Sequence, residues 1–198
     1  MIFIVDNYGQ YCHLIHRSLD DLGIENKIIN NESSLEYIVD ASPIGIILSG
    51  GPSLDKIGNC QTYLEKIDIP FLGICLGHQL IAKTFGGKTR PGIEEYAITE
   101  IEITDTDDIL ISLPKKIRVW SSHKDEVYEI SSNLKSLARS DYCRYESIKH
   151  IKRPVYGVQW HPEIYQTEGG ITIFKNFVEI CKRWDSGSTV HKIVESDF

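Results

Sequence analysis

The sequence predicts an α/β protein whose core is an open, mostly parallel sheet with helices on both faces and a small antiparallel extension. Short apolar runs, which are typical of strands covered on both faces, alternate with helical patterns through the first 87 residues. Strand and helix follow each other four times, and this order favours parallel strands joined by helices. The second half contains short alternating segments instead, which favour antiparallel pairing.

Four strand–helix units make up the first half. The apolar run at 2–5 is followed by a segment in which apolar residues recur every three or four positions, and Gly23 ends that helix. Ser33 and Ser34 offer hydroxyl groups that can cap the second helix. The predicted strands are 2–5, 24–29, 44–48 and 70–74, and the predicted helices are 10–22, 35–39, 60–67 and 76–85.

The second half changes character. Ile101 and Ile103 alternate with Glu100 and Glu102, as in a half-exposed strand. A glycine pair at 169–170 precedes a last amphipathic helix. The predicted strands here are 98–104, 116–120, 134–139, 143–149 and 154–159, and the apolar positions of the helix are Ile173, Phe174, Phe177, Val178 and Cys181.

Length and composition limit the class of protein. The 198 residues, 41% hydrophobic and 25% charged, fit one domain at 1–183 followed by a polar tail at 184–198. A net charge of −7 argues against nucleic-acid binding. There is no apolar run of membrane-spanning length and no signal-peptide pattern. The five cysteines are widely spaced and contain no Cys-x-x-Cys pair, so we expect reduced thiols in a cytoplasmic protein.

A cysteine between two glycines is the first candidate for chemistry. Gly73, Cys75 and Gly77 have the spacing of a nucleophile elbow, in which a sharp strand-to-helix turn exposes a reactive side chain. The helix N-terminus that follows carries a partial positive charge and favours a thiolate. The alternative is a small buried hydrophobic residue at a helix start, and this stretch alone does not decide between the two.

A histidine at a later strand end could serve as the base. His161 follows the strand at 154–159, Pro162 stiffens the turn, and Glu163 could accept the second imidazole N–H. A loop that simply contains one histidine and one glutamate is the alternative. By contrast, His13 and His16 lie three residues apart with no third ligand in view, so we predict no metal site.

An acyl-transfer site also needs donors for an oxyanion. The backbone N–H of Leu76 follows the candidate nucleophile directly and is one such donor. The loop at Gly50 and Gly51 follows the third strand and has no side chains, so it can bring a second donor. A Gly-Gly-Pro sequence on its own is only a turn signal.

These motifs together resemble those of class I (triad) glutamine amidotransferases. The motifs are Gly73–Gln79, Ser49–Pro52 and Gly157–Glu163, in the family's order, and the resemblance covers residues 1–183. Within the family, four further stretches resemble the glutaminase part of GMP synthases: Asp6–Tyr11, Glu95–Tyr96, Ser122–Val127 and Thr167–Glu168. No Ser-Gly-Gly-x-Asp-Ser loop of an ATP-pyrophosphatase domain is present, so the chain resembles the stand-alone glutaminase subunits of archaea.

The resemblance implies a role for each residue of the site. Cys75 would be the nucleophile, His161 the acid and base, and Glu163 its orienting carboxylate. The backbone amides of Gly51 and Leu76 would hold the oxyanion. The residues implied in binding the amino-acid end of L-glutamine are Gln79, Ser122, Lys124 and Asp125. The chain itself would need no cofactor, and ATP and Mg²⁺ would bind to a separate ATP-pyrophosphatase subunit that receives the ammonia and converts XMP to GMP.

Two other functions remain open at this level. The chain could deliver ammonia to a different acceptor, such as a precursor of anthranilate or carbamoyl phosphate, or it could be a non-catalytic regulatory module on the same fold. The segment 123–125 lies near the expected mouth of the site, either as a docking loop for the partner or as a solvated loop.

Overall fold

The computed structural model describes residues 1–187, which form one nine-stranded mixed sheet and five α-helices. The strands are β1 (Ile2–Asp6), β2 (Asn26–Asn30), β3 (Gly45–Leu48), β4 (Phe71–Ile74), β5 (Lys88–Ile103), β6 (Lys116–Glu129), β7 (Leu134–Arg139), β8 (Ser147–His150) and β9 (Val155–Val158). The helices are α1 (Cys12–Asp21), α2 (Leu35–Ala41), α3 (Cys60–Lys66), α4 (Leu76–Thr84) and α5 (Gly170–Gly187).

The sheet is parallel in one half and antiparallel in the other. Its strand order is β2-β1-β3-β4-β9-β8-β7-β5-β6. The neighbours from β2 to β9 are parallel, and those from β9 to β6 are antiparallel. The parallel core is therefore confirmed, but the prediction of a mostly parallel sheet with a small extension is wrong.

The difference comes from β5 and β6, which are 16 and 14 residues long. The predicted strands at 98–104 and 116–120 cover less than half of their length. Most of the first ten residues of β5 are exposed, so that stretch has no apolar alternation by which a strand could be recognised. The pairing with β6 also shifts register between Pro91 and Glu95, which breaks the period of two.

Helices cover both faces of the sheet, as predicted. In β1, Ile2 and Ile4 pack in a core with α1 and α5, whereas Phe3 and Val5 pack in a second core with α2, α3 and α4. Because both faces are buried, the parallel strands appear in the sequence as unbroken apolar runs.

Local signals set several helix ends. The Ser34 hydroxyl accepts a hydrogen bond from the backbone N–H of Tyr37 at 3.1 Å, and this capping bond starts α2 as predicted. The last helix, α5, continues to Gly187, and the Trp184 indole donates to the backbone oxygen of Asp68 at 3.2 Å. The polar tail predicted at 184–198 therefore begins inside α5, and its part from 188 onward lies outside the described residues.

Glu146, directly before β8, is a fully buried carboxylic acid. Burial raises its pKa to about 8, and the nearby charges of Glu95 and Glu126 add to this. Between its unfolded pKa near 4.3 and pH 8, the native state therefore holds a proton that the unfolded state has released. Stability from this group falls as the pH rises through that range.

We expect Glu146→Gln to remove this loss of folding stability at higher pH. The free energy of unfolding of the variant, relative to the natural chain, should rise from pH 5 to pH 8 and reach a gain of about 3 to 5 kcal/mol at pH 8. Urea denaturation at four pH values measures it. The matched control is Glu129→Gln, whose exposed carboxylate pairs with Lys88. A difference that stays constant with pH would contradict the prediction.

Candidate active site

Three loops meet at the carboxyl edge of the parallel strands. They follow β3, β4 and β9, which are neighbours in the sheet and run in the same direction. Each loop carries one of the predicted motifs. The strand order thus brings together residues that are far apart in the sequence, at the edge where sites form in open parallel sheets.

Cys75 sits at the sharp turn between β4 and α4. Its backbone has φ 53° and ψ −102°, a conformation that L-residues rarely adopt. Such a residue costs on the order of 1–3 kcal/mol and persists only where its surroundings enforce it. This geometry is that of the predicted nucleophile elbow, with the cysteine as the cap residue of α4.

The flanking glycines are required by close backbone contacts. A Cβ on Gly73 would lie 2.4 Å from the backbone carbon and oxygen of Gly77. A Cβ on Gly77 would lie 2.4 Å from the backbone oxygen of Leu48. The elbow is therefore packed against itself and against β3, and neither position has room for a larger residue.

His161 and Glu163 form a buried pair beyond β9. The Nδ1 atom of His161 lies 2.7 Å from Oε1 of Glu163, and their side chains are only 5% and 1% exposed. The backbone of His161 is fixed on both sides, because its N–H donates to the Trp120 carbonyl at 3.0 Å and its carbonyl accepts from the Thr167 hydroxyl at 2.7 Å. The Tyr11 ring meets the imidazole edge-on, with 4.9 Å between centroids.

The surroundings of His161 favour its charged form. Burial lowers its pKa, but the charge of Glu163 and hydrogen bonds with Cys75 and Glu163 outweigh this and hold the pKa well above its ordinary value. Since Nδ1 faces the carboxylate, Nε2 is the nitrogen left for the thiol. Thiol, imidazole and carboxylate are thus connected in series.

The loop after β3 lies against this group. A Cβ on Gly50 would lie 3.2 Å from Cε1 of His161 and 3.7 Å from Cβ of Cys75. Asn7, which follows β1, holds the loop in place: its backbone N–H donates to the Ser49 hydroxyl at 2.9 Å and its side chain donates to the Ser49 carbonyl at 3.2 Å. The backbone of the glycine loop is therefore held beside the thiol.

The opposite wall is formed by β6. The Cys75 thiol lies 3.7 Å from the carbonyl oxygen of Ser122. The Gln79 amide, on α4, donates to the carbonyl of Asp125 at 2.7 Å and to the Gln159 side chain at 3.2 Å. Gln79 therefore ties the nucleophile helix to this strand.

The segment 123–125 is part of β6, so the prediction of a loop is wrong, whereas its role in docking the partner stays a prediction. His123 is buried, with 3% of its side chain exposed, whereas the Lys124 ammonium is exposed and pairs with Glu94 at 2.6 Å. Three charged or polar residues in a row suggest a loop because such residues are rare in buried strands. The sequence at 121–126 has no apolar alternation, so only the structure shows that His123 points inward and Lys124 outward on a strand.

These walls enclose one cavity of about 390 Å³. All nine residues predicted to form the site line it: Gly51, Cys75, Leu76, Gln79, Ser122, Lys124, Asp125, His161 and Glu163. The structure brings them together, while the roles assigned to them stay predictions. A volume of this size suits a small polar ligand.

The other lining residues have no individual role predicted from the sequence, although most of them fall within the motifs and stretches that carry the family resemblance. They are Tyr8, Gly9, Gln10, Tyr11, Gly50, Pro52, Ser53, Tyr96 and His123. In the sequence, Tyr11 is one apolar position of the first helix, and Tyr8, with φ 64° in the structure, is part of a strand break. Their place just after β1 is the available signal, because that strand ends at the same edge as β3.

Membrane spans and metal clusters are both absent from residues 1–187. No helix in this range is long and apolar enough to cross a membrane. Within the same range, no three side chains of histidine, cysteine, aspartate or glutamate are grouped so that they could hold a metal ion.

Comparison with known proteins agrees with the fold. Residues 3–181 match the family model described as glutamine amidotransferase class-I. The chain therefore belongs to the class I glutamine amidotransferases. Within that family it falls among the glutamine-hydrolysing subunits of GMP synthase, of the archaeal type.

The assignment to this type of subunit rests on relatives whose sequences are about 50% identical to this chain. The chain is 52% identical over 182 residues to the glutamine-hydrolysing GMP synthase subunit of Methanococcoides burtonii, covering 91% of this chain and 96% of the relative. It is 55% identical over 185 residues to the protein of the same name from Thermococcus kodakarensis, covering 91% and 98%.

Two solved structures resemble the chain. A putative GMP synthase subunit from Thermoplasma acidophilum superposes with a TM-score of 0.89 at 34% identity, covering 93% of this chain and 95% of that one. A glutamine amidotransferase from Thermotoga maritima gives a TM-score of 0.67 at 17% identity, covering 92% and 82%, and shows the shared fold alone.

Proposed function

We propose that the chain is the glutamine-hydrolysing subunit of a two-subunit GMP synthase. It hydrolyses L-glutamine to glutamate and ammonia and passes the ammonia to a separate ATP-pyrophosphatase subunit. The observation that carries this proposal is the connected series of Cys75, His161 and Glu163 in one cavity. Relatives about 50% identical in sequence carry the name of a GMP synthase subunit, and this supports GMP synthase as the enzyme that uses the ammonia.

The first step is attack on the side-chain amide. The thiol of Cys75 gives its proton to Nε2 of His161, the thiolate sulfur forms a bond to the amide carbon of glutamine, and the carbonyl π electrons move onto oxygen. The backbone N–H groups of Gly51 and Leu76 stabilise the resulting oxyanion, because they are fixed donors at the cavity wall. The base of the Gly50–Gly51 loop is held by the hydrogen bonds between Asn7 and Ser49.

The second step releases ammonia. The protonated imidazole of His161 donates its Nε2 proton to the amide nitrogen, the carbon–nitrogen bond breaks, and a γ-glutamyl thioester remains on Cys75. Glu163 keeps Nδ1 protonated and stabilises the imidazolium that carries the charge.

The third step returns the enzyme to its starting state. Neutral His161 takes a proton from a water molecule, whose oxygen attacks the thioester carbon. The carbon–sulfur bond then breaks and leaves glutamate and the free thiolate of Cys75. Glutamate and ammonia are the only products, so the chain needs no bound cofactor for this reaction.

The amino-acid end of the substrate lies against α4 and β6 in this proposal. Gln79 and the backbone of Ser122 to Asp125 provide polar groups there. The Lys124 ammonium is exposed and already pairs with Glu94, so its backbone, and not its charge, faces the substrate. ATP, Mg²⁺ and XMP belong to the partner subunit.

The test uses the full chain and its ATP-pyrophosphatase subunit. With ATP, Mg²⁺ and XMP present, we expect glutamate and GMP to form in equal amounts from glutamine, and the partner by itself to form GMP only from added ammonia. Glutamate release is also measured without the partner. Glutamine that remains unhydrolysed in the complete mixture would refute the proposal, and co-purification with a chorismate-using protein instead would reassign the acceptor.

A further inference from the structure

A second buried pair of histidine and carboxylate lies at the wall of the substrate cavity, where His123 is one of the lining residues. Nε2 of His123, on β6, is 3.1 Å from Oε2 of Glu95, on β5, and their side chains are 3% and 8% exposed. The Thr99 hydroxyl donates to the other oxygen of Glu95 at 2.9 Å. Glu95 and His123 are also direct partners in the β5–β6 ladder. The two strands are thus joined by side chains as well as by the backbone.

Glu95 is held in its charged form although it is buried. Burial by itself raises its pKa, but the contact with His123 and the hydrogen bond from Thr99 bring the pKa below its ordinary value. A buried carboxylate is costly unless it is paired and hydrogen-bonded, and removing one partner leaves the other uncompensated. One oxygen of Glu95 is thus hydrogen-bonded to Thr99, and the other is in close contact with His123 without the alignment of a hydrogen bond.

The location of the pair gives it a consequence for the site. His123 stands between Ser122 and Asp125, whose carbonyl oxygens face the nucleophile helix. One lies 3.7 Å from the Cys75 thiol, and the other accepts the Gln79 amide at 2.7 Å. Side chains alternate along a strand, so the inward-pointing His123 fixes how the backbone of β6 is placed here. It thereby sets the distance of the Ser122 and Asp125 carbonyl oxygens from α4.

The strand around the pair is weakly supported. Between Pro91 and Glu95 the ladder of β5 and β6 shifts register, and Glu95–His123 is the first matched pair after the shift. Most of β5 on this side is exposed and has no partner strand other than β6 before Glu102 within the described residues. Next to this shift, the contact between Glu95 and His123 adds a side-chain link between β5 and β6 to the backbone ladder and to the hydrogen bond from Gln79 to Asp125.

We propose that Glu95 and His123 are positioning residues. They hold the backbone of Ser122–Asp125, which forms one wall of the cavity, at the distance from α4 that glutamine binding requires. Neither residue takes part in the chemistry. The reacting groups lie on the elbow after β4 and on the loop after β9, whereas the pair controls the strand against which the substrate lies. This inference rests on the proposed glutaminase function.

Glu95→Gln tests it, because the substitution keeps the shape and removes the charge. With the partner subunit, ATP, Mg²⁺ and XMP present, we expect the KM for glutamine to rise about tenfold while kcat stays within about threefold. Calorimetric titration of glutamine into Cys75→Ala and into Cys75→Ala with Glu95→Gln should show the same loss of affinity without turnover.

The matched control is Glu100→Gln on the same strand. Its carboxylate pairs with Lys116 at 2.6 Å but is 58% exposed and lies away from the cavity, so KM should not change. Thr99→Val removes one hydrogen bond to Glu95 and keeps the contact between Glu95 and His123. It should raise KM by about threefold and provides the test if Glu95→Gln does not fold.

Three outcomes overturn the inference, and they are distinguishable. A lowered unfolding midpoint of Glu95→Gln with unchanged KM and affinity would make the pair purely structural. A fall in kcat with unchanged KM would place it in the chemistry. No glutamate from the natural chain with its partner would refute the proposed function and the inference together.

Discussion

Replacing Cys75 with alanine is expected to abolish glutamine hydrolysis, with kcat lower by about 10⁴-fold or more. The cysteine is the candidate nucleophile in series with His161 and Glu163. Without its sulfur the covalent thioester cannot form, so water cannot take over the role of Cys75. The variant should keep its fold. Alanine removes a sulfur from an open cavity wall, and it relieves little of the strain at φ 53°, which belongs to the backbone.

The measurement is glutamate release together with GMP formation in the assembled enzyme. GMP formation from added ammonia should be unchanged, because that reaction belongs to the partner. The matched control is Cys143→Ala, which removes another buried thiol that does not line the cavity. If Cys75→Ala hydrolyses glutamine at an undiminished rate, the nucleophile has been assigned to the wrong residue.

Glu163→Gln is expected to lower kcat by about 10²- to 10⁴-fold with little change in KM. The carboxylate accepts the Nδ1 proton of His161 at 2.7 Å, whereas an amide can present its NH₂ group there and stabilise the wrong tautomer. The negative charge is lost as well, and with it a large part of the support for the imidazolium that protonates the leaving ammonia.

The pH profile separates this role from simple misfolding. The charge of Glu163 helps to hold the His161 pKa well above its ordinary value, although burial opposes it. Removing that charge lowers the pKa, so the proton needed for the leaving group is lost at lower pH. The alkaline limb of kcat against pH should therefore move to lower pH in the variant. The control is Glu168→Gln, a nearby carboxylate that is bonded to Arg118 and 46% exposed. An unmoved alkaline limb would contradict the assignment.

Much of the parallel half can be predicted from sequence because its signals are local. Apolar runs identify strands that are buried on both faces, and glycine or serine at helix ends identifies the boundaries. The three motifs also follow from local chemistry: a cysteine between glycines, a histidine before proline, and a side-chain-free loop. For each of them, however, a plain structural alternative exists.

The antiparallel half is harder to predict because part of its long strands lacks the apolar alternation by which a strand is recognised in a sequence. The exposed start of β5 has no apolar alternation, and its register shift between Pro91 and Glu95 breaks the remaining pattern. The strand position of His123 is hidden for the same reason. Its partner Glu95 is 28 residues away in the chain, and only the strand ladder brings them together.

The sequence by itself determined which residues could react and on which kind of turn each would lie. It indicated Cys75, His161 and Glu163 as candidates, together with a glycine loop and a parallel core. Only the tertiary structure decided that β3, β4 and β9 are neighbours, so that these groups share one cavity. Strand order depends on long-range packing, whereas motifs depend on nearest neighbours in the chain. The far wall, with Ser122 and Asp125 held by β5, is likewise a product of that packing.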